Sequence, residues 1–221
     1  MLLKYYAHQS GLTLIEVLVS TAVATLLLTA AATVGFSSLS LNRNTISSAN
    51  SQYELQSVMN IVTKELRRAG YSKNQENAKT AGGLRNIWFS GGTGTTDHTC
   101  AVFRYDRTPG SPSQLEPPGN GSTETTDVRG IRLASGKLEL LTSATAINGG
   151  CSVTGTWEPI SGSAFTITSF KLSYPAPPSG VLMDGSKIVN EVTVTIAATG
   201  KNGATQSLSE VVQLRNQPYL N

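Results

Sequence analysis

The chain has 221 residues, of which 39% are hydrophobic and only 14% are charged, and its formal net charge is +3. This length allows one sizeable domain with an appendage, and the hydrophobic share excludes an intrinsically disordered chain. Its lysines and arginines form no run longer than Arg67-Arg68, so the charge pattern predicts no direct binding of nucleic acid.

The N-terminal part of the chain is a short polar leader followed by a long apolar segment. Residues 1–11 carry Lys4, whereas residues 17–42 contain no charged side chain. This stretch is longer than the roughly 20 residues that cross a bilayer as a helix. A lysine on the short side predicts that the leader stays in the cytoplasm and that the chain beyond Arg43 is exported.

Three kinds of targeting segment are consistent with this pattern. A signal peptide would be cleaved near the small residues Ala30–Ala32, a signal anchor would stay uncleaved, and a prepilin would be cut at its polar leader. Glu16 separates them, because an acid inside a membrane helix costs about 2.5–3.5 kcal/mol on insertion scales. A generic targeting segment has no use for that cost, so Glu16 favours the prepilin.

Residues 10–19, SGLTLIEVLV, resemble the prepilin cleavage and methylation motif of type IV pilins and type II secretion pseudopilins. The resemblance implies that a prepilin peptidase cuts between Gly11 and Leu12 and N-methylates Leu12, where phenylalanine is the commonest residue. It also implies that Glu16 is the assembly carboxylate, which faces the N-terminal amine of a neighbouring subunit in the filament. Opposite charges attract strongly in such a low-dielectric setting.

The apolar helix contains small residues at regular intervals. Threonines recur every four residues from Thr21 to Thr33, with alanines between them. Small side chains let helices approach closely in lipid, which predicts a packing face for other pilin helices. Threonines that are merely tolerated in an anchor are the alternative.

Beyond Arg43 the helical pattern becomes amphipathic. Leu55, Met59, Val62, Leu66 and Ala69 follow spacings of four and three residues, which predicts one apolar stripe on a helix that runs from about residue 13 to residue 69. Gly70 is the predicted C-cap.

Two further segments carry a second resemblance. Residues 64–71, KELRRAGY, and residues 212–216, VQLRN, resemble the type IV pilus assembly protein W group of minor pilins. A solvated cationic last turn is the alternative interpretation of Arg67 and Arg68.

The remainder of the chain is predicted to form strands. Alternating or β-branched runs occur at 101–105, 165–174 and 188–197, with Ile188 at the start of the last one. Two turns predict hairpins, at Ser135-Gly136 and at Asn202-Gly203. The fold class is therefore α+β: a long N-terminal helix, transmembrane in its first half, packed on a mostly antiparallel sheet in a pilin-like head. We predict a leader at 1–11, a membrane and filament-core helix at 12–42, an amphipathic helix at 43–70 and a head at 71–221.

Cys100 and Cys151 are the two cysteines. Export predicts that they form a disulfide, and two free buried thiols are the alternative. Residues 71–98, with Trp88-Phe89 as an apolar island, and residues 106–128 are predicted loops, suited to recognition or to simple covering.

No catalytic set is found, so we predict that the protein is not an enzyme and binds no cofactor. The run Asp97-His98-Thr99-Cys100 could suggest a thiol beside a base, but residues so close in sequence rarely reach catalytic geometry. The acids of the predicted loops have no calcium-loop spacing, so they are interpreted as solvated side chains and no metal site is predicted. They are Asp97, Asp106, Glu116, Glu124 and Asp127.

The resemblance implies a minor pilin of a type IV pilus. Such a subunit assembles with other minor pilins and the major pilin into a priming complex at the tip, and supports adhesion, twitching motility or DNA uptake. It would sit in the inner membrane with a periplasmic head before assembly, and at the pilus tip, next to a possible tip adhesin, afterwards. A minor pseudopilin of type II secretion, close to the J-type subunit, and a membrane-anchored adhesin are the alternatives.

Overall fold

The computed structural model describes residue 11 and residues 13–73, 83–107, 119–147, 149–176, 180–181, 187–216 and 218–220. These residues form one long helix, eleven strands and two single helical turns, at Thr125–Asp127 and Gly150–Ser152. The long elements are α1 (Leu14–Arg68), β1 (Asn86–Ser90), β2 (Cys100–Arg104), β3 (Val128–Ala134), β4 (Lys137–Ala144), β5 (Gly155–Pro159), β6 (Phe165–Ser173), β7 (Gly180–Val181), β8 (Lys187–Ile188), β9 (Glu191–Gly200), β10 (Thr205–Gln213) and β11 (Tyr219–Leu220).

Two compact units make up the structure, divided between Ile46 and Ser47, and α1 contributes to both. In the first unit the side chains of α1 are exposed. Among the described residues, α1 is the one helix long and apolar enough to cross a membrane. The predicted continuous helix from about residue 13 to residue 69 is confirmed.

The second half of α1 supplies one wall of the head's main core. Leu55, Met59, Val62, Leu66 and Ala69 are each at most 1% exposed, so the predicted apolar stripe is confirmed. Full burial of one large apolar side chain contributes about 1.5–3 kcal/mol. This stripe packs with buried residues from both sheets, which makes the helix and the head one folding unit from Ser47 onward.

The strands form an eight-stranded and a three-stranded sheet. The first has the order β5-β4-β3-β2-β1-β11-β8-β7, and the second has the order β10-β9-β6. Every pairing is antiparallel except that of β1 with β11. The predicted α+β class with a mostly antiparallel head is therefore confirmed.

Strand β2 is buried on both faces of the larger sheet. Ala101 and Phe103 face the main core, while Cys100 and Val102 join a second cluster on the other face. Cys100 and Cys151 form a disulfide with a Cα–Cα distance of 6.2 Å, as the export argument predicts. This disulfide pins the single helical turn Gly150–Ser152 over the second cluster.

Both predicted hairpins are present. Ser135 and Gly136 have φ values of +49° and +73°, and they join Ala134 to its partner Lys137. A two-residue turn with both φ values positive matches the right-handed twist of the strands that it connects. The turn at Asn202-Gly203 joins β9 to β10, where Val192, Val194, Ile196 and Ala198 alternate into the core.

The predicted loop at 71–98 is wrong for Asn86–Ser90, which is β1. This strand lies inside the larger sheet, between β2 and β11, and Trp88 faces the second cluster. One of these two partners, β11, is far away in sequence, so a five-residue pattern could not reveal this position in the sheet. Residues 74–82 of the predicted loop lie outside the described residues.

The predicted strand at 188–197 also begins in the wrong place. Ile188 belongs to the short strand β8, which pairs with β11 in the larger sheet, whereas β9 begins at Glu191 in the smaller one. Val189 and Asn190 separate them: the Val189 N–H donates to Pro218 O, and the Leu214 N–H donates to Asn190 O. The chain changes sheet at this point, which an apolar run does not show.

Asp106, interpreted from the sequence as a solvated loop acid, is buried. Its carboxylate accepts hydrogen bonds from the backbone N–H groups of Lys73 at 3.2 Å, and of Asn120 and Gly121 at 2.8 Å each. The interpretation of Asp106 as a solvated side chain is therefore wrong. Its carboxylate holds the backbone of Lys73, Asn120 and Gly121 together by accepting their N–H groups.

Asp127 is likewise buried, and the solvated interpretation is wrong for it too. It accepts from the N–H groups of Arg107 and Glu124 at 3.0 and 2.9 Å. Together with Asp106 it orders residues 119–127, whereas residues 108–118, with Glu116, lie outside the described residues.

Candidate functional site

The start of α1 is a reciprocal hydrogen-bonded cap formed by Thr13 and Glu16. The Thr13 N–H and the Thr13 hydroxyl donate to Glu16 Oε2 at 3.1 and 3.0 Å, and the Glu16 N–H donates back to Thr13 Oγ1 at 3.3 Å. This is a capping box, in which two side chains satisfy two of the free N–H groups of a helix terminus. A carboxylate in the first turn also interacts favourably with the helix dipole.

Sequence reasoning missed this structural role of Glu16. A threonine followed three residues later by glutamate, ahead of an apolar run, is the sequence pattern of a capping box. The cap orients the Glu16 side chain toward the N-terminal end of α1. The assembly carboxylate predicted from the motif is thus also part of the helix start.

The cleavage site predicted between Gly11 and Leu12 lies immediately before this cap. Gly11 is exposed, and an added Cβ would meet no atom within 4 Å. Leu12 lies outside the described residues, so its predicted cleavage and methylation stay predictions. The described chain on both sides of Leu12 is exposed at Gly11 and Thr13.

The four threonines of the apolar helix satisfy their hydroxyl groups within the helix. Thr21 donates to Leu18 O, and Thr25, Thr29 and Thr33 donate to carbonyl oxygens three or four residues earlier. A satisfied hydroxyl group can enter lipid or a helix interface at lower cost than an unpaired one. These contacts are compatible with the predicted packing face, which stays a prediction.

The C-terminal end of α1 meets the C-terminal part of the chain. Gly70 has a φ of +81°, as its predicted role past the helix end requires, and its N–H donates to Arg104 O at 2.7 Å. Asn216 Nδ2 donates to Arg68 O and Ala69 O at 3.3 and 3.2 Å, and so satisfies carbonyls that the helix leaves free. The two segments that resemble the protein W group therefore contact each other.

The two arginines of the last turn are exposed but each is paired. Arg67 binds Glu210 of β10 at 2.9 Å, and Arg68 binds Glu65 at 3.2 Å and lies over the Tyr105 ring. Exposed ion pairs of this kind contribute at most about 1 kcal/mol. Arg67 and Arg68 are therefore not only solvated, because each also binds a carboxylate.

Comparison with family models identifies both parts of the chain. Residues 6–32 match the prokaryotic N-terminal methylation motif. Residues 44–214, most of the chain, match the family described as prepilin peptidase-dependent protein B. The chain belongs to the prepilin peptidase-dependent protein B family. No curated protein and no solved structure matches the chain.

Membership of this family makes the chain a pilin-like protein that depends on the prepilin peptidase. The predicted resemblance to type IV pilin-like minor pilins is confirmed at this level. The matched family model is not that of the protein W group, so that narrower resemblance stays a prediction. The apolar start of α1 fits the membrane anchoring of a type IV pilin.

Asp97, His98 and Cys100 have structural roles in the head of this prepilin peptidase-dependent protein B family member. Cys100 is held in the disulfide, and the buried His98 ring packs against the rings of Phe89 and Tyr174, at centroid distances of 5.4 and 5.7 Å. Asp97 is exposed and pairs with Lys171 at 3.2 Å. Within the described residues, no three His, Cys, Asp or Glu side chains are grouped as metal ligands.

Proposed function

We propose that this protein is a minor pilin of a type IV pilus, a low-copy subunit that joins other minor pilins in the complex that primes filament assembly. One observation carries the proposal. The methylation motif, with Glu16 in the first turn of α1, is followed by a helix long enough to cross a membrane and by a head that matches the prepilin peptidase-dependent protein B family. The role we propose is structural and involves no catalysis. The boundaries we propose are a leader at 1–11, a membrane helix at 12–42, an amphipathic helix at 43–70 and a head at 71–221.

The proposed chemistry begins at the leader. The prepilin peptidase cuts between Gly11 and Leu12 and methylates the new amine of Leu12. That amine and the Glu16 carboxylate of another subunit then attract each other in the low-dielectric interior of the filament. Their pairing offsets the burial of both charges and sets the register of the incoming subunit.

Intact-mass analysis of the membrane-extracted protein tests the proposed processing. We expect a chain that starts at Leu12, one methyl group heavier than its sequence and two hydrogens lighter because of the Cys100–Cys151 disulfide. Gly11→Val is the matched variant, since a branched side chain at the cut should leave the leader attached. A wild-type chain that begins after Ala32, or that retains residues 1–11, contradicts the proposal.

We place the protein in the inner membrane with its head in the periplasm, and at the pilus tip after assembly. Its proposed partners are other minor pilins, the major pilin, the prepilin peptidase and a possible tip adhesin. Through the pilus it would support adhesion, twitching motility or DNA uptake.

A minor pseudopilin of type II secretion is the second candidate, because the methylation motif and peptidase dependence suit both systems. Deletion of the gene separates them. We expect far fewer surface pili by electron microscopy and unchanged levels of secreted enzymes in the medium, both restored by the wild-type gene. Normal pili with lost secretion would assign the protein to the secretion system. Lost adhesion with normal pili and normal secretion would indicate a membrane-anchored adhesin.

A further inference from the structure

A pocket of about 350 Å³ opens in the head where the C-terminal end of α1 meets β2 and β3. Its helix side is formed by Glu65, Arg68 and Tyr71, and its strand side includes Tyr105 and Arg129. The volume lies at the small end of the range for ligand sites, about 300–1,000 Å³. None of the roles derived above uses this pocket, although the KELRRAGY segment supplies its helix side.

The two carboxylates of the pocket are already held by donors of the head. Glu65 Oε1 binds Arg68 at 3.2 Å, and Glu65 Oε2 accepts the Tyr105 hydroxyl group at 2.7 Å. Asp106, the other acid in the wall, accepts the three backbone N–H groups described above. Neither acid is therefore available as a binding group for a cationic ligand.

The cations of the pocket outnumber these acids. Arg68, Arg107 and Arg129 stand against Glu65 and Asp106, three guanidinium groups against two carboxylates. A guanidinium group keeps its charge at every pH that the head experiences and can only donate hydrogen bonds. The described wall of the pocket thus has one positive charge in excess.

Arg129 is the most buried of the three cations of the pocket. It is only 6% exposed, and its Nη1 donates to the carbonyl oxygens of Leu141 and Thr142 on β4. Its buried Nε has no hydrogen-bond partner among the described residues. A buried guanidinium group with no carboxylate partner in the described part of the chain favours an anion nearby.

The remaining wall is apolar or neutral. Tyr71, Tyr105 and Leu140 present rings and an aliphatic side chain to the pocket. Burial, and then the neighbouring Glu65 carboxylate, raise the pKa of Tyr105, with Arg129 acting in the opposite direction. Tyr105 therefore stays protonated at neutral pH and adds no negative charge that would repel an anion.

We propose that this pocket binds a carboxylate group on a short apolar stem, presented by an acidic side chain of another pilin-like subunit. The excess guanidinium charge binds the carboxylate, and the tyrosine rings and Leu140 cover the stem. Only the source of the carboxylate rests on the proposed function, because the charge and shape of the pocket are properties of the head alone. The KELRRAGY segment would then be a recognition element as well as a helix end.

Peptide binding to the full-length protein in detergent tests this proposal. The probes are acetyl-Ala-Ala-Glu-Ala-Ala-amide and the same peptide with glutamine in place of glutamate, followed by NMR of selectively labelled tyrosine rings. We expect saturable shifts of the Tyr71 and Tyr105 signals with the glutamate peptide. The glutamine peptide should bind about tenfold more weakly or worse, because it loses the charge-assisted hydrogen bonds.

Matched arginine variants locate the binding site. Arg68→Gln and Arg107→Gln should each weaken binding of the glutamate peptide by about tenfold. Arg67→Gln is the control: Arg67 has nearly the same side-chain exposure as Arg68, 50% against 48%, but it pairs with Glu210 and does not line the pocket. Arg129 is left unchanged because its hydrogen bonds hold β4.

Several outcomes would overturn the proposal. They are an absence of saturable shifts, equal binding of the glutamine peptide, and an equal loss of affinity in Arg67→Gln. If butyrate binds as tightly as the glutamate peptide, a free organic acid and not a subunit is the ligand. None of these results depends on pilus formation, so a failure here is distinct from a failure of the minor-pilin proposal, which the deletion experiment decides.

Discussion

We expect Glu16→Gln to abolish assembly of the protein into filaments while its membrane insertion, cleavage and head fold remain intact. Glutamine keeps the length of the side chain and can replace glutamate in a capping box, so the bonds with Thr13 can persist. Only the charge is lost, which under the proposed pairing leaves the amine of a neighbouring subunit buried without its partner. Removal of one member of a buried ion pair costs about 3–5 kcal/mol, or roughly 10²–10⁴-fold in an assembly equilibrium.

The matched control for this experiment is Thr13→Ala. It removes the cap and keeps the charge, so it should cost only about 0.5–2 kcal/mol at the helix start and leave most assembly intact. The measurements are co-purification of partner subunits from detergent extracts and the number of pili per cell. Normal assembly of Glu16→Gln together with failed assembly of Thr13→Ala would show that the helix cap, and not the charge, is what assembly requires.

Local patterns in the sequence predicted the elements whose burial is decided within a few residues. The stripe from Leu55 to Ala69 has helical spacing over four turns, and both hairpins have turn residues that tolerate positive φ. The Cys100–Cys151 disulfide followed from export and from the presence of two cysteines. The capping box of Thr13 and Glu16 has an equally local pattern and could have been predicted.

Long-range contacts account for what the sequence did not reveal. β1 lies inside the larger sheet because β2 and β11 pair with its two edges, and β11 lies at the far end of the chain. Asn216 donates hydrogen bonds to the carbonyl groups of Arg68 and Ala69 across a comparable separation in sequence. Asp106 and Asp127 are buried because they accept backbone N–H groups, and a carboxylate in a glycine- and proline-rich stretch has no pattern that distinguishes this role from a solvated one.

The candidate recognition pocket belongs to the same class of long-range features. Arg68 and Tyr71 come from the helix end, Tyr105 directly follows β2, Arg129 lies in β3, and no spacing in the sequence relates them. The resemblance of residues 64–71 to a minor-pilin group covers one side of the pocket only. The excess of guanidinium charge depends on how residues from several elements come together, and both acids of the wall are held by donors within the head.

Removal of the disulfide should produce the largest loss of stability in the head. The bridge spans a sequence separation of 51 residues, and the entropy that such a loop removes from the unfolded chain corresponds to about 4 kcal/mol. We expect the double variant Cys100→Ala/Cys151→Ala to lose about that free energy of unfolding, with a Tm lower by about 10 °C. Trp88 and Trp157 both pack against the cluster that contains Cys100, so urea denaturation followed by tryptophan fluorescence reports on this region directly.

The control is the wild-type chain with its disulfide reduced, because it keeps both sulfur atoms and loses only the covalent bond. Cys100 is 7% exposed, so its replacement by alanine adds a packing loss that reduction does not. The difference between the double variant and the reduced protein therefore measures packing, and the loss on reduction measures the cross-link. If reduction costs less than about 1 kcal/mol, the unfolded chain is already constrained between these residues and the chain-entropy account is wrong for this head. A loss near the full amount would mean that the head depends on an oxidising compartment, as a periplasmic location supplies.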